Sequence, residues 1–181
     1  MKLYYSPGSC ALAPHIIVRE ADLDVALEAV DLREKTTAGG RDYRSINPQG
    51  AVPALEFDSG EVLTEAQVVL QYLAAEAPQA GLAPQEGMTK WRLLETLNFI
   101  ATELHKGFGP LWGKPAPEVR EATLKHLQGR FALLERKLGD KDYLLGDFSI
   151  ADAYAFVTMR WARHFKIDLS GLANLEAYFQ R

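Results

Sequence analysis

The chain reads as an α/β domain of thioredoxin-like layout followed by an all-helical domain. Three observations predict this. Short strand signals alternate with helical periodicity through residues 1–77. A stretch broken by Pro78, Gly81, Pro84 and Gly87 then fills residues 78–87 and carries no periodicity, which marks a linker. Across residues 88–181 no strand signal returns, and apolar residues recur at helical spacing.

The elements follow in order. "KLYYS" is short, aromatic and followed by Pro7-Gly8, a strand running into a loop. "ALAPHIIVREADL" has helical spacing, and Pro14 sits best in a first turn, so the helix starts near Ala11 with Cys10 at its mouth. "VALEAVDL" is the second strand, and the strand-helix-strand order predicts a parallel pair. "RDYRSINPQG" predicts a short helix stopped by Pro48 and Gly50. "VPALEF" and "EVLTE" flank Asp58-Ser59-Gly60, a hairpin. The spacing over residues 65–78 predicts a helix that buries Val68, Leu70, Tyr72 and Leu73. The first half is therefore β-α-β-α-β-β-α. Helices are predicted in the second half over 88–108, 117–138, 149–164 and from 172, with Ser149 and Asp152 of "SIAD" forming a capping box.

Composition narrows the function. A 181-residue chain that is 48% hydrophobic can bury a real core, yet it holds no apolar run long enough to cross a membrane. "MKLYYSPG" has no secretory pattern, and one cysteine makes no internal disulfide, so a cytoplasmic protein is expected. The net charge of −4 is mild and the basic residues are dispersed, which argues against nucleic acid. His15, His105, His126 and His164 share no short ligand spacing, so no metal is expected.

Cys10 admits two readings. A free cysteine is commonly buried and inert; at a helix mouth, unpaired N–H groups favour a thiolate. "CALA" supplies no second cysteine, so a reaction at Cys10 needs its second sulfur from a small molecule. Val52 before Pro53 offers either an ordinary edge-strand proline or a backbone that pairs with an extended peptide ligand. Glu65 and Ala66 open a helix; their N–H groups suit an anion and the Glu65 carboxylate an ammonium, though an acid there also simply stabilises the helix. Asn98, Thr102 and His105 follow i, i+4, i+7 spacing and form a polar stripe, ending at Lys106, beside the core stripe Leu93, Leu97, Ile100 and Leu104. Such a stripe suits the wall of an interdomain cleft.

Together "MKLYYSPGSCALAPHI", "INPQGAVPAL", "LTEAQVVLQYLA", "LNFIATELHKGF" and "FSIADAYAF" resemble a bacterial beta-class glutathione transferase, in register over essentially the whole chain. The resemblance implies a thioredoxin-like domain that binds glutathione as co-substrate, a helical domain that binds a small-molecule electrophile, and a homodimer. It also implies the site. Cys10 lies against the glutathione sulfur with Tyr5 in the same pocket, and His105 and Lys106 reach the sulfur region. Lys35 faces the glycyl carboxylate, Val52 with Pro53 meets the cysteinyl unit, and Glu65 and Ala66 hold the γ-glutamyl end, with Asn98 and Thr102 near it. Phe108, Trp112 and Trp161 line the electrophile pocket. The expected activity is conjugation of the glutathione thiolate to small electrophiles, a detoxification reaction, with Cys-dependent thiol transfer as a second route. The reading from another class is a non-catalytic binding or regulatory protein of the same fold.

Overall fold

The aromatic run at the start of the chain becomes β1, Lys2–Tyr5, whose Leu3 and Tyr4 are fully buried. The computed structural model describes residues 1–181, and these divide into two compact units, Met1–Ala83 and Pro84–Arg181. In the first, β1 lies between β2 (Ala26–Asp31), which runs parallel to it, and β4 (Ala54–Glu56), which runs antiparallel. β5 (Val62–Thr64) extends the sheet beyond β4, and β3 (Thr36–Thr37) extends it beyond β2, giving the order β3-β2-β1-β4-β5. The edge strand β3 is an addition to the predicted layout: two residues are too short to leave a period in the sequence. The predicted helix after it contracts to one 3₁₀ turn, Tyr43–Ser45, which Asp42 caps by accepting from the Arg44 N–H.

α1 (Leu12–Glu20) buries Ala13, Pro14, Ile17 and Val18 and packs on α2 (Ala66–Glu76). α2 buries Ala66, Val69, Leu70, Leu73 and Ala74. Val68, expected inside, is 39% exposed, because it falls off the face that Ala66, Val69 and Leu73 define at 3.6 residues per turn.

The second unit is helical throughout. The single helix predicted over 88–108 changes pitch twice: α3 (Gly87–Phe99) widens into a π turn at Ile100–His105 and tightens into a 3₁₀ segment at Lys106–Trp112. Two residues account for the tightening. Pro110 has no N–H to continue an α-helical ladder. Gly107 lies so close to α4 (Pro117–Leu138) that a Cβ would meet Leu127 Cδ2 at 2.9 Å. Leu93, Leu97, Ile100, Leu104 and Phe108 stay buried through all three pitches, and the Phe108 ring meets Phe131 of α4. No helix is long and apolar enough to cross a membrane.

α5 (Ile150–His164) begins with the expected capping box. Its Asp152 is buried and does more than cap. One carboxylate oxygen accepts from the Ser149 N–H and hydroxyl, each at 2.8 Å. The other accepts at 2.9 Å from the Leu144 N–H and from the hydroxyl of Tyr178 on α6 (Ala173–Gln180). Asp152→Ala should therefore cost about 3 kcal/mol, since it removes a cap and strands several buried donors. Denaturant unfolding measures this; a loss under about 0.5 kcal/mol, the range of an ordinary surface change, would contradict it.

Candidate active site

In the first unit the turn after β1 is tied by short bonds. The Ser9 N–H reaches the Ser6 carbonyl at 3.1 Å and the Ala13 N–H reaches the Cys10 carbonyl at 3.0 Å. α1 begins at Leu12, so Cys10 sits two residues ahead of the helix. Its side chain is only 7% exposed, and its Sγ–H donates to the Val52 carbonyl at 3.2 Å. Tyr5, half-buried at the end of β1, packs beside His15.

Burial decides the state of this thiol. Removal from water pushes the Cys10 pKa up to about 12, and the negative charge of Glu65 pushes the same way. The backbone N–H groups of Cys10 and Ala11 pull down but do not win. Of the two readings of Cys10, burial favours the neutral thiol over the thiolate. The unpaired N–H groups of a helix stabilise an anion only where water leaves them dominant, and here desolvation exceeds them.

Val52 belongs to a braced loop. The Asn47 amide and the Tyr43 hydroxyl both donate to the Ala51 carbonyl at 2.8 Å, and the Gly50 N–H returns to the Asn47 carbonyl at 2.8 Å. The Val52–Pro53 peptide is cis and both residues are buried. The Val52 carbonyl is taken by Cys10, while its N–H has no partner within the chain. Lys35 lies along the same loop: its Nζ donates to the Gly50 carbonyl at 2.8 Å, and its stem comes within 3.2 Å of where a Cβ on Gly50 would stand. Gly50 also has φ +62, so a side chain there would be strained and would have to displace the Lys35 stem.

Glu65 is exposed and holds a φ of 69°, in the left-handed region that costs a residue with a side chain roughly 1–3 kcal/mol. Its carbonyl receives the first helical bonds of α2, from Val68 and Val69, so the N–H groups of Ala66 and Gln67 lie outside the ladder. Cys10, Val52, Pro53, Glu65 and Ala66 thus form one neighbourhood: Cys10 bonds Val52 and feels the charge of Glu65.

The predicted residues of the helical unit separate into two groups. Asn98 and Thr102 are exposed, with the Thr102 hydroxyl spent on the Asn98 carbonyl at 3.0 Å. The π turn carries His105 off their stripe. Its ring is half-buried, with Nδ1 at 2.6 Å from the Tyr154 hydroxyl and the ring edge-on to Trp161 at 5.0 Å. Burial, with the charge of Lys106 adding to it, holds the His105 pKa below the usual imidazole value, so the ring is neutral at pH 7. Lys106 itself is exposed.

Trp112 is 52% exposed and its ring meets Trp161 at 5.2 Å and Phe165 at 4.8 Å, so it suits a binding surface. Trp161 is buried behind it. Phe108, expected in the electrophile pocket, is fully buried against Phe131, Trp161 and Phe165 and serves the core instead. Tyr154 had not been singled out as a site residue; the available signal was a tyrosine on the buried face of α5, which needs a partner for its hydroxyl. A cavity of about 390 Å³ beside Thr89, Arg92, Lys137 and Leu144 contains none of the predicted residues. Glu95 there pairs with both Arg92 and Lys137, and the Lys141 ammonium donates to the Lys137 carbonyl.

Comparison with known proteins accounts for this arrangement. Residues 8–76 match the family model of the glutathione S-transferase N-terminal domain, and residues 99–181 that of the C-terminal domain. Over its full length the chain is 44% identical to glutathione S-transferase GstA of Escherichia coli O157:H7, of which it covers 92%. Among solved structures, the bacterial beta-class glutathione S-transferase of Sphingomonas chungbukensis superimposes with a TM-score of 0.95 at 41% identity, covering all of this chain and 92% of that one. A sphingomonad glutathione S-transferase complexed with glutathione gives a TM-score of 0.95 at 40% identity, covering 99% and 91%. The chain belongs to the glutathione S-transferase family, as a glutathione transferase of the bacterial beta class.

Proposed function

We propose that the protein binds reduced glutathione along the neighbourhood of Cys10, Val52 and Glu65 and joins its sulfur to small electrophiles, as a cytoplasmic homodimer serving detoxification. Glutathione is an extended tripeptide with two carboxylates, one ammonium and one thiol. It needs a strand-like backbone partner, a helix N-terminus, an acid and a base. Val52 offers the first, Ala66 the second, Glu65 the third and Lys35 the fourth. The unpartnered N–H of Val52, in a buried residue whose carbonyl already meets the Cys10 sulfur, is the observation that carries this reading. A buried donor left unpaired costs free energy unless a ligand takes it.

In this scheme the nucleophile is the glutathione sulfur, not Cys10. A neutral Cys10 thiol can turn its S–H from the Val52 carbonyl to an incoming thiolate and stabilise it as a donor. His105 and Lys106 are assigned to the same sulfur. The glutathione thiol releases its proton to water, the bound thiolate attacks the electrophilic carbon, a C–S bond forms, and the leaving group departs with its electron pair. The rate derives from thiolate stabilisation and from proximity. For a disulfide substrate, Cys10 attacks instead. Its proton goes to the displaced thiolate, and a second glutathione resolves the mixed disulfide. A pKa near 12 makes this the slower route at neutral pH. Trp112 gives an aromatic electrophile a face to stack on.

Two measurements check the scheme. The protein should be retained on immobilised glutathione and should turn over a chromogenic aryl halide; Glu65→Gln should weaken glutathione binding about tenfold by losing one charge-assisted bond, and an unchanged affinity would remove Glu65 from the site. Cys10→Ala should keep conjugation within about tenfold while abolishing disulfide-linked transfer. Equal loss of both would mean that one chemistry, through Cys10, serves both substrates.

A further inference from the structure

We infer that Tyr154 is a positioning residue for His105: its hydroxyl donates to Nδ1, fixes the Nε2–H tautomer, and makes the ring an N–H donor towards an anionic sulfur rather than a base that takes its proton. The inference rests on the assignment of His105 to the glutathione sulfur, and it supplies the protonation state that assignment leaves open.

The geometry begins with α5. The capping box of Ser149 and Asp152 fixes where the helix starts, and Asp152 is further held by Leu144 and Tyr178. Tyr154, two residues on, is therefore placed by a rigid anchor, and only 2% of its surface is exposed. His105 comes to it from the other side through the π turn, a helical irregularity that recurs at functional sites because it re-aims one side chain. The rings meet edge to face, 5.8 Å apart at 84°, and Trp161 closes a second side of the imidazole at 5.0 Å. The contact between Nδ1 and the phenol oxygen is short, at 2.6 Å.

Chemistry gives that contact a direction. A neutral imidazole has one N–H and one lone pair, and the hydrogen bond made at one nitrogen sets the tautomer at the other. A phenol is a far stronger acid than a neutral imidazole N–H, and an imidazole lone pair is a far better acceptor than a phenol oxygen. The strong bond is therefore O–H to Nδ1. That leaves the proton on Nε2, the nitrogen not occupied by Tyr154. A neutral N–H donor stabilises a thiolate without competing for its proton, which a basic nitrogen would do.

Tautomer is read directly by long-range proton–nitrogen correlation spectroscopy on protein carrying ¹⁵N-histidine. The wild-type spectrum should show His105 with Nδ1 unprotonated and Nε2 protonated. Tyr154→Phe, which keeps the ring and removes only the hydroxyl, should shift His105 towards a mixture of tautomers. It should also lower kcat for aryl halide conjugation about tenfold with little change in the KM for glutathione, and His105→Ala combined with it should cost no more than His105→Ala alone. A wild-type ring protonated at Nδ1, or a His105 spectrum unmoved by Tyr154→Phe, overturns the positioning role. The wild-type spectrum decides that point even if Tyr154→Phe fails to fold. Unchanged turnover in His105→Ala instead overturns the assignment of His105 to the sulfur.

Discussion

The bond from the Cys10 thiol to the Val52 carbonyl ties together the two loops on which the N-terminal site depends. Cys10 ends the turn that leaves β1, and Val52 ends the loop that enters β4, the strand lying against β1. Two consequences follow from one contact. A sulfur that donates to a carbonyl in a dry setting keeps its proton, and the Val52 carbonyl is engaged while its N–H has no partner within the chain. Around this pair the chain spends its other polar groups on holding the loop still: Tyr43 and Asn47 on Ala51, Lys35 on Gly50. The backbone of Glu65 is strained as well, and such a conformation persists only where its surroundings over-determine it.

In the proposed scheme a neutral cysteine changes the division of labour at the glutathione sulfur. A reactive thiolate would compete with glutathione for the electrophile and would be open to oxidation. A protonated thiol is a donor instead, and the carboxylate of Glu65 reinforces that state through its charge. In the helical unit a parallel choice operates on His105. Burial and Lys106 keep it uncharged, and a short contact to Tyr154 engages one nitrogen. Both groups are thereby neutral hydrogen-bonding side chains, suited to holding an anion rather than to making one.

Much of the fold was legible in the sequence because it follows from local rules. The aromatic strand, the Asp58-Ser59-Gly60 hairpin, the proline-started helices and the Ser149–Asp152 box are each written in a few adjacent residues. What escaped depends on distant partners. The tightening at Lys106 reflects, besides Pro110, Gly107 pressed against Leu127 of another helix, a partner that no window of residues 88–108 contains. The π turn from Ile100 took His105 out of the stripe that 3.6-residue spacing drew through Asn98 and Thr102. Phe108 entered the pocket through the family resemblance, which transfers a position and not the burial against Phe131 that takes it into the core. The sequence left the protonation of Cys10 open between two readings for a related reason: the helix mouth is visible in sequence, and the desolvation that outweighs it is not.

The state of Cys10 is also the most direct point of attack. Because the chain has one cysteine, the rate of its alkylation by a small neutral reagent can be followed against pH in the glutathione-free protein without ambiguity. A thiol shifted to about 12 should still react faster with each added unit of pH at pH 10, well beyond the ordinary thiol value of about 8.5. A rate that levels off with a midpoint at or below that ordinary value would mean that Cys10 is a thiolate in the resting protein, and the account of a donor sulfur would be wrong.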